Sequence, residues 1–538
     1  MQLNHLTAYA PRLLIHAGMR CPAPRLPSPL ALAAGAVVAA VLLPLVYLVL
    51  RALGAGADGL AYLLHPRTLA VLVNSAALTA AVVLAAAVIG ALFAWLTART
   101  DLPLRRLWLV AGLLPLVIPS YVGAITLIAV LGPRGLVQQA LAPLGVTELP
   151  SIYGFWGAWL SLTLFTFPYV ALPVRAALLK MDPALEECGH SMGLGRRAVF
   201  WRVTLPQLRP ALAAGMLLAA LYTLSDFGAV ALMRFDAFTR VIYIQYTSSF
   251  DRSRAAVLAL ALVVITLALV LLERRASALT RNYRAGTGAQ RLPRPVALGR
   301  WTVPALAFCA ALVGLGLALP VVVLAMWALQ AGAPGAGLGL ALVNTVSASG
   351  LTAGAVGLAA LPVAVLAVRS PSRLGRALSG LPYIGNVLPG LVVALALVFF
   401  AASYFPALYQ TLPVLVLGYA TRFLPLSIGS TRSALTQINP RLEEAGRSLG
   451  CRPWAVTARI TAPLARGGIL AGMALVFLSA MKELPTTLLL APTGYKTLAT
   501  DIWTASAEAR LAQVGLPGLL LVAASALGLF IVLRQSDR

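Results

Sequence analysis

Apolar residues occupy this chain in long blocks, and polar residues are confined to the connections between them. Runs of roughly 20 apolar positions, the length a helix needs to cross a bilayer, lie near 30–52, 70–98, 108–131, 153–180, 208–233 and 253–273. A second six lie near 301–328, 342–368, 379–402, 409–434, 467–490 and 512–533. The pattern predicts an all-α polytopic membrane protein with about twelve transmembrane helices. The first run follows Arg12, Arg20 and Arg25, and it exceeds the ~7–15 residues of a cleaved signal's apolar core. It therefore reads as an uncleaved first helix.

One polar stretch recurs. Residues 182–209 read DPALEECGHSMGLGRRAVFWRVTLPQLR, and residues 439–466 read NPRLEEAGRSLGCRPWAVTARITAPLAR, a constant 257 positions later. Without a gap the copies share Pro183/Pro440, Leu185/Leu442, Glu186/Glu443, Glu187/Glu444, Gly189/Gly446, Ser191/Ser448, Gly193/Gly450, Arg202/Arg459, Thr204/Thr461, Pro206/Pro463 and Arg209/Arg466. The repetition reaches further, because VNSAALTAAV from Val73 matches VNTVSASGLT from Val343, and Arg99/Arg369 and Pro119/Pro389 keep an offset of 270. The change of offset puts 13 extra residues in the first half, between its third span and its polar unit. The predicted organisation is an N-terminal segment 1–29, a first six-helix half 30–275, a basic linker 276–299 rich in Arg, Gly and Pro, and a second half 300–538. Six spans is an even number, so the halves run parallel about an axis along the membrane normal, with room for a pathway between them.

Each polar unit has the local signals of a helical hairpin. Asp182-Pro183 and Asn439-Pro440 supply a capping side chain followed by proline at the first helical position. Glu186/Glu187 and Glu443/Glu444 fall near the positive end of the helix dipole. Gly193 and Gly450 can take the left-handed conformation that ends the helix. A second short amphipathic helix is expected through Trp201 or Ala458, with Pro206 and Pro463 at the start of the next span.

Composition agrees with a bilayer: 60% of residues are hydrophobic and only 11% charged, with mean hydropathy +0.89. Soluble domains carry roughly 25% charge. The net charge of +25 has to be placed relative to the membrane before it suggests nucleic acid. With the N-terminus inside, the basic residues Arg99, Arg105, Arg106, Arg175, Lys180, Arg369, Arg373, Arg376, Arg534 and Arg538, together with both polar units and the linker, all fall on the cytoplasmic side, as the positive-inside rule requires. The expected placement is a multi-pass inner (plasma) membrane protein with both termini cytoplasmic, and with lipid rather than nucleic acid around it. Cys21, Cys188, Cys309 and Cys451 have no CxxC spacing and are expected as free thiols. No catalytic triad, carboxylate dyad or metal-ligand cluster stands out, so a membrane-embedded enzyme has no support.

The E-x-x-G-x-x-x-G…L-P pattern at Glu186, Glu187, Gly189, Ser191, Gly193 and Pro206, and at Glu443, Glu444, Gly446, Ser448, Gly450 and Pro463, resembles the cytoplasmic "EAA" loop of permease subunits in binding-protein-dependent ABC importers. The copies depart from it at Cys188, where alanine is usual, and at Ala462-Pro463, where Leu-Pro is usual. The resemblance implies that each hairpin docks an ATPase subunit as a coupling helix, so that two docking loops serve two copies of the ATPase. It also implies a periplasmic or extracytoplasmic substrate-binding protein. This chain lacks GxxxxGK[ST], and Gly-Lys occurs nowhere in it. No cofactor or metal is therefore expected on it, and ATP and Mg belong to the partner.

The fused two-half form resembles the ferric-iron importer branch, which is also similar to thiamine and aminoethylphosphonate permeases. That narrower resemblance rests on residues 225–257 and 481–513, which contain Asp226 and Glu483, again 257 apart. Ionisable groups at membrane depth mark a pathway or a paired site. Two readings stand: the acids face each other across the halves and attract a cation, or each caps a helix break beside Gly228 or Pro485, or pairs with Lys482. Asn74 and Asn344 are further pathway candidates, with hydrogen bonding between helices as the alternative. Arg234, Arg240, Lys496 and Arg510 fall on the outer side as solvated surface or as contacts for a binding protein. Tyr62, Tyr153, Trp156, Trp159, Trp301 and Trp327 read as interfacial anchors. A secondary transporter remains the rival class, one that would need no duplicated docking loop.

Overall fold

A computed structural model of the chain describes residues 28–146, 148–248, 252–278, 295–332, 337–369 and 373–536. The expected N-terminal segment up to residue 27 and linker residues 279–294 lie outside them. Among the described residues the regular structure is helical, apart from one bridge between Thr100 and Val296. Nine helices among the described residues are long and apolar enough to cross a membrane, and two bent pairs raise the number to eleven. The shorter apolar helix from Ala512 falls in the twelfth expected segment.

Each half is built on the same three helices. Pro66–Arg99 packs along Phe155–Lys180, with Leu205–Ser225 against both; Leu338–Arg369, Leu412–Gln437 and Arg466–Met481 repeat the arrangement. Apolar side chains gain nothing by leaving lipid for one another, so such helices associate through close backbone approach at small residues. A Cβ at Gly215 would sit 2.7 Å from Val170 Cα, and one at Gly472 would sit 2.8 Å from Ser427 Cα. These are equivalent positions of the two halves. The halves are also knitted together, since Ser28–Leu53 packs on Leu338–Arg369, Gly390–Tyr404 and Leu412–Gln437, while Leu319–Ala331 reaches back to Ser120–Leu131.

Several expected spans are interrupted. The third is Arg105–Leu113, a 3-10 turn Leu114–Val117 and Ser120–Leu131, broken before Pro119; its partner breaks before Pro389. The fifth spans, expected over 208–233 and 467–490 with a break beside Gly228 or Pro485 as one of two readings, end at Ser225 and Met481, and resume as Gly228–Leu232 and Pro485–Leu490. A break frees backbone groups, and in a membrane these must be satisfied within the protein. The two acids lie at these breaks.

The hairpins' second helices also differ from expectation. In the first half Arg197–Ser225 runs as one span rather than as a separate short helix, whereas in the second half Trp454–Leu464 meets Arg466–Met481 at 75°. Both contain a π-turn, Phe200–Thr204 and Thr457–Thr461, two residues ahead of Pro206 and Pro463, and a third, Gly314–Ala318, precedes Pro320 in the same way. A proline ring collides with the carbonyl four residues back, and one wider turn relieves the collision without ending the helix. Trp327, expected as an interfacial anchor, is instead buried. Trp156 and Trp301 are exposed.

Candidate functional site

The hairpins fold as their local chemistry dictates. Asp182 Oδ1 accepts from Ala184 N at 3.0 Å, and Asn439 Oδ1 accepts from Arg441 N at 3.0 Å. The helices Pro183–Ser191 and Pro440–Ser448 end in Schellman turns. Gly193 and Gly450 both sit at φ +81, and Leu194 N and Cys451 N donate to the carbonyls of Gly189 and Gly446 at 3.1 Å. Gly189 and Gly446 are buried beneath the hairpins' second helices. Ser191 and Ser448 bond back to Cys188 O and Glu444 O within their own helices.

The two glutamates of each hairpin face opposite ways. Glu186 pairs with Arg99 at the end of the second span and accepts the Thr204 hydroxyl at 2.9 Å. Glu443 pairs with Arg369 at 3.1 Å and accepts from Thr461 at 3.2 Å. Glu443 is only 4% exposed. These first glutamates, expected in the docking set, are therefore turned inward to hold the hairpin to the membrane helices. Arg369 also donates to Ile438 O at 3.0 Å, satisfying a carbonyl at the end of Leu412–Gln437. The outward face carries Glu187 and Glu444. It also carries exposed apolar side chains that were not in the expected docking set, the shared pair Leu185/Leu442 together with Met192 in one hairpin and Leu449 in the other. Met192 is 75% exposed and its equivalent Leu449 is 84% exposed.

A cavity of about 310 Å³ lies between the halves. The first half lines it with Ser120, Tyr121, Tyr222 and Asp226; the second with Arg422, Lys482 and Glu483. Asp226 accepts from the Ser120 hydroxyl and from Ala229 N at 2.9 Å, so it caps Gly228–Leu232. Glu483 accepts from the Thr486 hydroxyl at 2.7 Å and pairs with Arg422. Each acid therefore stabilises a helix break, as the second reading expected, and each also lines the shared cavity. The counter-ion of Glu483 is Arg422, whereas Lys482 Nζ donates to Leu116 O of the opposite half at 3.0 Å. Tyr121 is 4% exposed, and its hydroxyl has no partner among the described residues.

Asn74 and Asn344 lie elsewhere. They donate to Asp236 O at 3.4 Å and Lys496 O at 2.9 Å, tying the second span of each half to the loop beyond its broken fifth span. Their neighbours Ser75 and Thr345 accept from Phe238 N and Leu498 N at 3.0 and 2.9 Å. Of the outer basic residues, Arg240 pairs with Asp236, Arg510 with Glu508, and Arg234 stacks over Tyr153. Arg422 was legible as one of two arginines inside the run 409–434, with Arg432 nearer its end, and so as an ionisable group at membrane depth. Ser120 and Tyr121 carried no comparable signal.

The sequence matches the profile of the "binding-protein-dependent transport system inner membrane component" twice, over residues 89–276 and 353–537. It is 32% identical over 502 residues to the Fe(3+)-transport system permease protein FbpB 2 of Haemophilus influenzae, covering 92% of this chain and 96% of that protein. It is 25% identical over 434 residues to the ferric transport system permease protein FbpB of Actinobacillus pleuropneumoniae, covering 76% and 63%. A solved bacterial ABC transporter involved in alginate import aligns with 42% of this chain and 85% of its own, at a TM-score of 0.35 and 17% identity.

Proposed function

Because the chain belongs to the binding-protein-dependent transport inner membrane family, and is by that membership an ABC importer permease in the inner membrane, we propose that it forms the ferric-iron pathway of an ATP-driven importer. Two copies of a separate ATPase, carrying ATP and Mg, dock on the hairpins at 183–191 and 440–448. A periplasmic or extracytoplasmic binding protein delivers Fe(III) to the opposite face. Both termini and both hairpins lie in the cytoplasm.

The observation that carries this reading is a line of connection. In each half the helix leaving the hairpin leads into the span whose far end bears the cavity acid, Ser225 to Asp226 in one half and Met481 to Glu483 in the other. The inward glutamates fasten the hairpin to the second span, so a displacement of the hairpin is carried by two helices instead of being lost in a loop. The outward glutamates and exposed leucine and methionine side chains offer a mixed polar and apolar docking surface of the kind that partner interfaces use. The ferric assignment draws on the two FbpB relatives, whose names give that cargo. The hard oxygen donors Asp226, Glu483 and Tyr121 suit it.

Reconstitution tests the proposal. The chain, its ATPase subunits and the binding protein in proteoliposomes should accumulate radioactive Fe(III) only with ATP and Mg present. Uptake without ATPase subunits, or none with the complete set, would overturn it.

A further inference from the structure

The cavity between the halves compensates its two acids unequally. Asp226 has no ion pair among the described residues and is held by neutral donors, the Ser120 hydroxyl and Ala229 N–H. Glu483 is neutralised by Arg422. Arg422 has no counterpart in the first half, where Phe165 occupies the equivalent position 257 residues earlier. The guanidinium lies 5.2 Å from the Phe423 ring, a cation–π contact that supports it without fixing it by hydrogen bonds. Lys482 is engaged with Leu116 O across the interface. Tyr121 also lines the cavity, and its buried hydroxyl has no partner among the described residues.

A carboxylate at membrane depth without a counter-charge is costly. Two uncompensated acids would also hold a multivalent cation too tightly to release it, whereas conduction needs a site favourable enough to enter and weak enough to leave. A tethered cation meets both demands, because it fills the site when empty and competes with the cargo when full. Building on the ferric reading above, we propose that Arg422 is this resident counter-ion. A hard trivalent cation entering the cavity displaces the guanidinium from Glu483 and takes Glu483, Asp226 and the Tyr121 hydroxyl as oxygen donors. The return of Arg422 to Glu483 then favours release.

Terbium(III), a hard trivalent cation whose emission is sensitised by nearby tyrosine, is the probe. Titrated into the purified permease–ATPase complex in detergent, it should give weak saturable emission with the wild type. Arg422→Gln should bind about tenfold more tightly or better, and adding Asp226→Asn should abolish the gain. Arg422→Lys keeps the charge but loses the planar fork, so it should show a smaller gain and provides the comparison if the glutamine variant fails to assemble. Unchanged or weaker terbium affinity in these Arg422 variants sinks the proposal. So does loss of bound radioactive sulfate or phosphate in Arg422→Gln, which would make the cavity an anion site. A wild-type complex that imports Fe(III) but shows no saturable terbium site removes this assignment and leaves the cargo reading intact. A complex that binds terbium but imports no Fe(III) removes the cargo reading and, with it, the role given to Arg422.

Discussion

Arg369 Nε and Glu443 Oε1 lie 3.1 Å apart, joining the end of the eighth span to the second hairpin, and Arg99 and Glu186 make the same junction in the first half. Removing one partner of a buried pair leaves an uncompensated charge, typically at a cost of about 3–5 kcal/mol. Glu443→Ala should therefore speed hydrogen exchange of the amides over 440–448, while the double variant Arg369→Ala/Glu443→Ala should be milder than either single change. Exchange equal to wild type in the single variant would show that the hairpin is held by other contacts.

Gly193 and Gly450 stand at φ +81, where a side chain costs roughly 1–2 kcal/mol and a β-branched one strains the turn further. Valine at both positions should release ATPase subunits during purification while membrane insertion stays normal. Asparagine, which tolerates this conformation, should retain most of the association. Copurification measured side by side checks the contrast, and valine variants that keep their ATPase would count against the docking role.

Gly215 and Gly472 allow the fourth and fifth spans of each half to touch at the backbone. Alanine at either position forces the helices apart, at an expected cost of about 1–3 kcal/mol. Thermal melts in detergent should show the two variants weakened to a similar degree, since the contacts are equivalent.

Asp226 and Glu483 line one cavity, so Asp226→Asn with Glu483→Gln should reduce Fe(III) uptake by about tenfold or more while the complex still assembles. Asparagine can still accept from Ser120 and Ala229, which preserves the cap. Normal uptake in this double variant would return both acids to a purely structural role.

Cys188 is exposed on the first hairpin, and Cys309 is buried. Maleimide should label Cys188 in the isolated permease and fail to do so when ATPase subunits are bound, with Cys309 unreactive in both states. Mass spectrometry of the two peptides reads this directly, and equal labelling of Cys188 in both states would place the partner elsewhere.

What was legible in the sequence depended on range. The Asp182 and Asn439 caps, the Gly193 and Gly450 stops and the apolar blocks are decided within a few residues, and the helices follow them. The breaks at Asp226 and Glu483 were signalled only by the acids and by the neighbouring Gly228 and Pro485, because apolar periodicity continues across them. They become necessary only when the freed backbone groups find partners in other helices. The latch between Arg99 and Glu186 spans 87 residues, and the pairing of Arg422 with Glu483 spans 61. Both residue types were visible, but only the packed bundle shows which charge meets which. Asn74 and Asn344, read as pathway candidates because they are polar within spans, are taken up by loop carbonyls for the same reason.

The hairpin helix of the first half runs straight into its span, while that of the second turns a 75° corner at Ala465. The first linkage is a pushrod and the second a crank. Equal strokes from two identical motors would thus slide the wall bearing Asp226 along its axis and swing the wall bearing Glu483 and Lys482. The two sides of the cavity would then move along different paths rather than as mirror images.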